Sequence, residues 1–122
     1  MAGAERDTVA VVDDDDAVRQ SLRFLLDVLG HKVETFASAA EFLKTELRTL
    51  ACLILDHHMP AMTGLELAER LRADGNAIPI MLITGSPSPS LAARAAQLGI
   101  DRVQEKPVEE GEVVAFIDAA KR

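Results

Sequence analysis

The stretch Ala51-Cys52-Leu53-Ile54-Leu55-Asp56-His57-His58-Met59-Pro60-Ala61-Met62-Thr63-Gly64 drives five apolar residues straight into a carboxylate, then into a loop marked by Pro60 and Gly64. An apolar run this short and uninterrupted reads as a strand, Ala51 to Leu55, buried on both faces. Asp56 then sits where strand becomes loop, at the edge of a core where a carboxylate is unfavourable without a partner. That position points to binding or chemistry. Downstream, Leu65, Ala68 and Leu71 at helical spacing predict a helix that closes before Gly75.

The same strand-then-helix unit recurs on both sides. Toward the N-terminus, Thr8 to Val12 reads as a strand, and Val18, Leu22, Leu25, Leu26 and Leu29 as a helix ended by Gly30. Lys32 to Phe36 is a second strand, and Ser38-Ala39-Ala40-Glu41 a capping box opening a helix with Phe42 and Leu43. Toward the C-terminus, Ile78 to Ile83 is a strand, Gly85 to Ser90 a Gly/Ser/Pro loop, and Leu91 to Leu98 a helix closed by Gly99. Arg102 to Glu105 is the faintest strand signal, and Val113, Phe116, Ile117 and Ala120 support a last helix. Five βα units predict an α/β domain around a parallel sheet. The 122 residues suffice for one core, so residues 1–122 are read as one domain.

Composition narrows the function classes. A net charge of −7 repels phosphate backbones and anionic lipid but welcomes a metal cation. With no Trp or Tyr and only Phe24, Phe36, Phe42 and Phe116, the stacking platforms of single-strand binders are missing as well. Direct nucleic-acid binding is disfavoured. No apolar run approaches the ~18 residues of a spanning helix, so no membrane association is expected. The opening MAGAERDTVAVV lacks the order of a secretory signal, which makes the cytoplasm the expected compartment. The single Cys52, inside an apolar run, reads as a buried small hydrophobe.

Open α/β sheets build their sites beyond the carboxyl ends of the strands. The strand ends here deliver Asp13, Asp14, Asp56, Thr84 and Lys106. Converging carboxylates repel one another unless a hard cation takes them as oxygen ligands, and Mg²⁺ suits such a set. Asp15 and Asp16 are better read as a solvated helix start. Taken singly, Thr84 reads as a turn residue and Lys106 as a surface charge; their convergence is the signal. Adjacent His57 and His58 lack a third imidazole or thiolate at a spacing that would make a transition-metal site, and His31 reads as structural.

Val11-Val12-Asp13-Asp14, Leu53-Ile54-Leu55-Asp56, Met59-Pro60 with Gly64, Ile83-Thr84-Gly85 and Lys106-Pro107 together resemble the receiver domain of bacterial two-component response regulators, over essentially the whole chain. The layout is most similar to receivers of the nitrogen-fixation regulator type. The resemblance implies a flavodoxin-like (βα)5 sandwich with sheet order 2-1-3-4-5. It implies Asp56 as phosphoacceptor, with Asp13, Asp14, Asp56 and the backbone carbonyl of His58 holding Mg²⁺. Thr84 and Lys106 would contact the phosphoryl group, the side chains of His58 and Ser86 would tune its lifetime, and the Lys106–Pro107 peptide would be cis. The implied partners are a sensor histidine kinase or histidine phosphotransfer protein and, for output, a homodimer through the face of helix four, strand five and helix five. The domain would catalyse only its own phosphorylation and dephosphorylation.

The match departs from the family at Val103, where receivers usually carry Phe or Tyr as a rotating partner of the switch threonine, and at Val108, where a large aromatic is common. Output is then expected to rely on backbone movement of the Gly85 to Ser90 loop, restricted by Pro87 and Pro89, or the domain mainly relays phosphate. Two other classes compete. A small phosphatase of the haloacid dehalogenase type also uses an aspartyl nucleophile, but wants it in a first-strand Asp-x-Asp pattern. A phosphorylation-independent pseudo-receiver would act as an interaction module, and the intact Asp13, Asp14, Asp56, Thr84 and Lys106 argue against it. A chain ending at Arg122 is compatible with a stand-alone receiver and with a piece of a larger regulator.

Overall fold

The computed structural model describes residues 6–122; the first five, on which part of the N-terminal reading rests, lie outside that range. Strands β1 (Thr8–Val12), β2 (Lys32–Phe36), β3 (Leu50–Asp56), β4 (Ile80–Thr84) and β5 (Arg102–Glu105) alternate with helices α1 (Asp16–Val28), α2 (Ala39–Leu43), α3 (Gly64–Ala73), α4 (Pro89–Gln97) and α5 (Glu110–Ala120). All sheet pairings are parallel, and the strand order is β2-β1-β3-β4-β5, the predicted 2-1-3-4-5.

Alternation along the central strands decides the layering, because successive strand residues point to opposite faces. Val9, Val11, Cys52 and Ile54 pack with Leu22, Leu26 and Phe116 from α1 and α5. Ala10, Val12, Leu53 and Leu55 pack with Phe42, Leu67 and Leu91 from α2, α3 and α4. Both faces of β1 and β3 are covered, which is why these strands read as unbroken apolar runs. Cys52 is buried and free, and burial pushes its thiol pKa up to about 12, in keeping with an inert core residue. No helix among the described residues is long and apolar enough to cross a membrane.

Several boundaries differ from the sequence reading. Strand β4 starts at Ile80 because Asn76 Oδ1 takes the Ile78 N–H in a turn, and Pro79 lacks a donor. Helix α4 starts at Pro89, not Leu91: Ser88 caps it by accepting the Leu91 N–H, and Pro89 fills a first-turn position that needs no donor. The expected box at Ser38 is only half formed, since Glu41 takes the Ala37 N–H instead of that of Ser38. A full capping box stands instead at Thr63 and Glu66, opening α3. On α1, Leu22 and Leu26 are buried, but Leu29 is exposed along with Phe24 and Val28.

Gly64 ties α3 to the end of β3. Its N–H donates to the His57 carbonyl at 3.0 Å. A Cβ there would lie 2.6 Å from the Asp56 carbonyl oxygen, 2.8 Å from Leu82 Cδ1 and 2.9 Å from His57 Cα. Two of these neighbours are main chain and cannot swing away, so Gly64→Ala is expected to destabilise by about 1–3 kcal/mol in urea unfolding, as other overpacking substitutions do.

Candidate functional site

Parallel pairing puts the C-terminal ends of all five strands on one edge of the sheet. Val12 pairs with Leu55, so Asp13 and Asp56 emerge side by side. Thr84 pairs with Glu105, which sets Lys106 at the same edge, and the Lys106 N–H donates to the Thr84 carbonyl at 2.9 Å. The Lys106–Pro107 peptide is cis, as the resemblance implied.

Asp13 and Asp56 are buried and Asp14 is exposed, and carboxylate oxygens from the three lie within 4.8 Å of one another. Lys106 Nζ reaches Asp56 Oδ1 at 3.0 Å and Asp13 Oδ2 at 3.8 Å. The His58 N–H approaches Asp56 Oδ1 at 3.4 Å. Among the described residues, the buried Asp56 Oδ2 has no hydrogen-bond partner. Asp15 caps α1 through the N–H groups of Ala17 and Val18, and Asp16 pairs with Arg19, so both do start the helix as expected.

Three carboxylates facing one ammonium leave the pocket short of positive charge. Burial, and then the neighbouring Asp56, raise the Asp13 pKa above the ordinary carboxylate range, although the Asp15 N–H bonded to it pulls the other way. Burial alone would depress the Lys106 pKa, but the hydrogen bond to Asp56 and the charges of Asp13, Asp56 and Asp14 outweigh it and raise it. A hard divalent cation fits here: the donors are all carboxylate oxygens, and a buried Asp56 oxygen is left for it or for an incoming group.

Thr84 is fully buried. Its hydroxyl oxygen accepts the Ser86 N–H at 3.0 Å and lies 2.9 Å from His58 Nε2. Among the described residues the hydroxyl has no hydrogen bond to a carboxylate or to Lys106; His58 is the link. His57 faces elsewhere, its Nδ1 accepting the Leu65 N–H at 3.4 Å, and burial followed by the nearby His58 lowers its pKa. Neither imidazole belongs to the carboxylate group. His31 is half-buried and meets Lys121 Nζ at 2.8 Å. Val103 is half-buried against the α2–α3–α4 side of the core, so a branched aliphatic occupies the place of the usual aromatic.

Two features escaped the sequence reading. Arg19 Nη1 donates to the Asp13 carbonyl at 2.6 Å, pinning the loop that carries Asp13 and Asp14; its only sequence trace is the helical spacing to Asp16. Ala61 adopts φ 69°, an unfavourable conformation for a residue with a Cβ, in the loop leaving Asp56. Nothing in the sequence signals it.

A buried aspartate at the end of the third strand, two acids after the first and a lysine after the fifth define the phosphorylation-site layout of a receiver. The family model for the response regulator receiver domain matches residues 9–118, and the chain belongs to that family. It is 38% identical over 115 residues to the transcriptional regulatory protein FixJ of Bradyrhizobium diazoefficiens, covering 93% of this chain and 56% of that protein. The chain therefore spans just over half the length of this relative. Among solved structures it is similar to the response regulator StyR (41% identity, TM-score 0.86, 93% of this chain and 58% of that one). It is also similar to FixJ-N (34% identity, TM-score 0.83, 99% and 95%). The general role of such domains in two-component systems is phosphorylation-dependent signalling, and an acidic cluster of this kind generally goes with Mg²⁺ dependence.

The raised pKa of Asp13 carries a sign for stability. A carboxyl whose native pKa exceeds its unfolded value stabilises most below that unfolded value, near pH 4, and this contribution is lost as pH rises through the native pKa. Once ionised, Asp13 thus costs the fold stability. Asp13→Asn keeps the acceptor for the Asp15 N–H and is expected to raise the metal-free Tm by roughly 2–5 °C at pH 7.5 while losing most of the increment that millimolar Mg²⁺ gives the parent. Differential scanning fluorimetry with and without MgCl2 checks both parts.

Proposed function

We propose that this domain accepts a phosphoryl group on Asp56 from the phosphohistidine of a sensor histidine kinase or histidine phosphotransfer protein. The observation that carries this reading is the buried Asp56 carboxylate, one oxygen paired with Lys106 and the other without a partner. A carboxylate oxygen attacks phosphorus, an O–P bond forms, and the N–P bond breaks as the imidazole leaves. Lys106 balances charge on the transferring oxygens. Asp13, Asp14, Asp56 and the main-chain carbonyl of His58 would hold Mg²⁺, which when bound supplies charge neutralisation for the transfer. In support, the neighbouring His57 carbonyl is occupied by the N–H groups of Met59 and Gly64, while no backbone N–H among the described residues donates to that of His58. The domain modifies only itself.

The acyl phosphate brings roughly two negative charges and new acceptor oxygens. Thr84 and Lys106 then close on it. Hydrogen bonds to charged groups contribute roughly 1.5–3 kcal/mol each, so two give about 3–6 against the ~5.5 needed to move a population from 1:99 to 99:1. Ser86 acts as the neighbour that holds the Thr84 oxygen. The donor docks along α1, where an apolar groove of about 680 Å³ is lined by Val18, Phe24, Val28, Pro107 and Val108 together with Lys106. With that donor the domain works in the cytoplasm. The face of α4, β5 and α5 is left for output, through a homodimer or an attached domain.

Acetyl phosphate with Mg²⁺ is expected to add one phosphoryl mass to the parent and none to Asp56→Asn by intact mass spectrometry. An adduct that persists in the variant would move the acceptor elsewhere. Output by backbone movement at Gly85–Ser88 predicts that Val103→Tyr leaves the beryllofluoride-induced shifts of those amide resonances unchanged; a large change would assign the output to the side chain at 103 instead.

A further inference from the structure

The contact between His58 and Thr84 has no part in binding the cation or the phosphoryl group, yet it joins the two segments that phosphorylation must rearrange. His58 follows Asp56 by two residues; its N–H faces Asp56 Oδ1 and its Nε2 lies 2.9 Å from the Thr84 hydroxyl oxygen. Thr84 is fully buried, and that hydroxyl also accepts the Ser86 N–H at 3.0 Å. A hydroxyl offers one proton and two lone pairs. The Ser86 N–H occupies one lone pair. If Nε2 accepts, it takes the only proton, the one a phosphoryl oxygen would need; if Nε2–H donates, it fills the remaining lone pair and fixes the hydroxyl where it stands. In the first tautomer the hydroxyl gives up His58 when it turns its proton to the phosphoryl group; in the second its proton is free, but the bond ties the oxygen to its present place and is stretched by any shift toward the phosphoryl group.

We infer that the His58 imidazole is a latch that holds Thr84 in the unphosphorylated arrangement by competing with the phosphoryl group for its hydroxyl. This rests on the receiver reading, in which Thr84 bonds the phosphoryl group, and it makes His58 a positioning residue acting through Thr84. The latch opposes activation by the strength of one hydrogen bond, part of which water regains at the exposed imidazole. His58 thereby favours the inactive population, which is separate from any effect on the lifetime of the acyl phosphate.

The test is the affinity for beryllofluoride with Mg²⁺, a phosphoryl mimic that is not hydrolysed, so lifetime cannot enter the result. His58→Ala leaves the main-chain carbonyl in place and is expected to tighten binding about two- to tenfold, the range that one hydrogen bond of ordinary net strength gives. His58→Gln, whose amide reaches a similar distance, restores affinity close to that of the parent. In a Thr84→Val background, His58→Ala changes nothing, because there is no hydroxyl to release. Unchanged or weaker binding by His58→Ala, or an equal gain in the Thr84→Val background, would sink the latch while leaving the receiver reading intact. Failure of the parent itself to bind beryllofluoride would remove both.

Discussion

A carboxylate with almost no solvent contact, at the end of a strand buried on both sides, is the constraint around which this domain is arranged. Lys106 stands 3.0 Å from the buried Asp56 carboxylate, and a backbone N–H approaches the same oxygen. Lys106 comes from the far side of the sheet, so β4 and β5 must be in register before the pair can form. The buried charge thus depends on the complete sheet, and a partly assembled one would leave it uncompensated.

The same arrangement leaves a surplus of negative charge. Asp13 and Asp14 crowd the pocket that Asp56 already occupies, and one ammonium does not balance them. Surrounding structure holds this unfavourable group in place. Arg19 grips the Asp13 carbonyl, Asp15 caps α1, and Gly64 lets the first turn of α3 rest against the Asp56 main chain. In the proposed reading, stability given up at the carboxylates would become affinity for a cation and readiness for phosphoryl transfer, a common trade at functional sites.

On the other side of Asp56, the Thr84 hydroxyl is held by His58 and the Ser86 N–H and has no hydrogen bond to an acid among the described residues. In the proposed reading, closure on a phosphoryl group would be an exchange of partners, with a histidine on one side of the balance. A branched aliphatic, not a large ring, occupies position 103, and the short Gly85–Ser88 segment joins Thr84 directly to α4.

Strand positions and the acidic, threonine and lysine set were readable because they follow from local pattern: apolar runs of five, helical spacing, and polar residues at the carboxyl ends of strands. Those signals belong to consecutive residues, so one chain in hand was enough to place Asp13, Asp14, Asp56, Thr84 and Lys106 on a common edge, and the family resemblance supplied the strand order. Start points that turn on a single hydrogen bond were not readable. Glu41 bonds Ala37 where Ser38 was expected, Glu66 completes the box that opens α3, and Pro89 belongs to α4 and not to the loop. The grip of Arg19 on the Asp13 carbonyl exists only once α1 has folded back on the end of β1, and the meeting of His58 with Thr84, 26 residues apart, only once β3 and β4 lie side by side. Pattern tells which residues reach the edge of the sheet; distances between side chains from different strands decide which of them bond there.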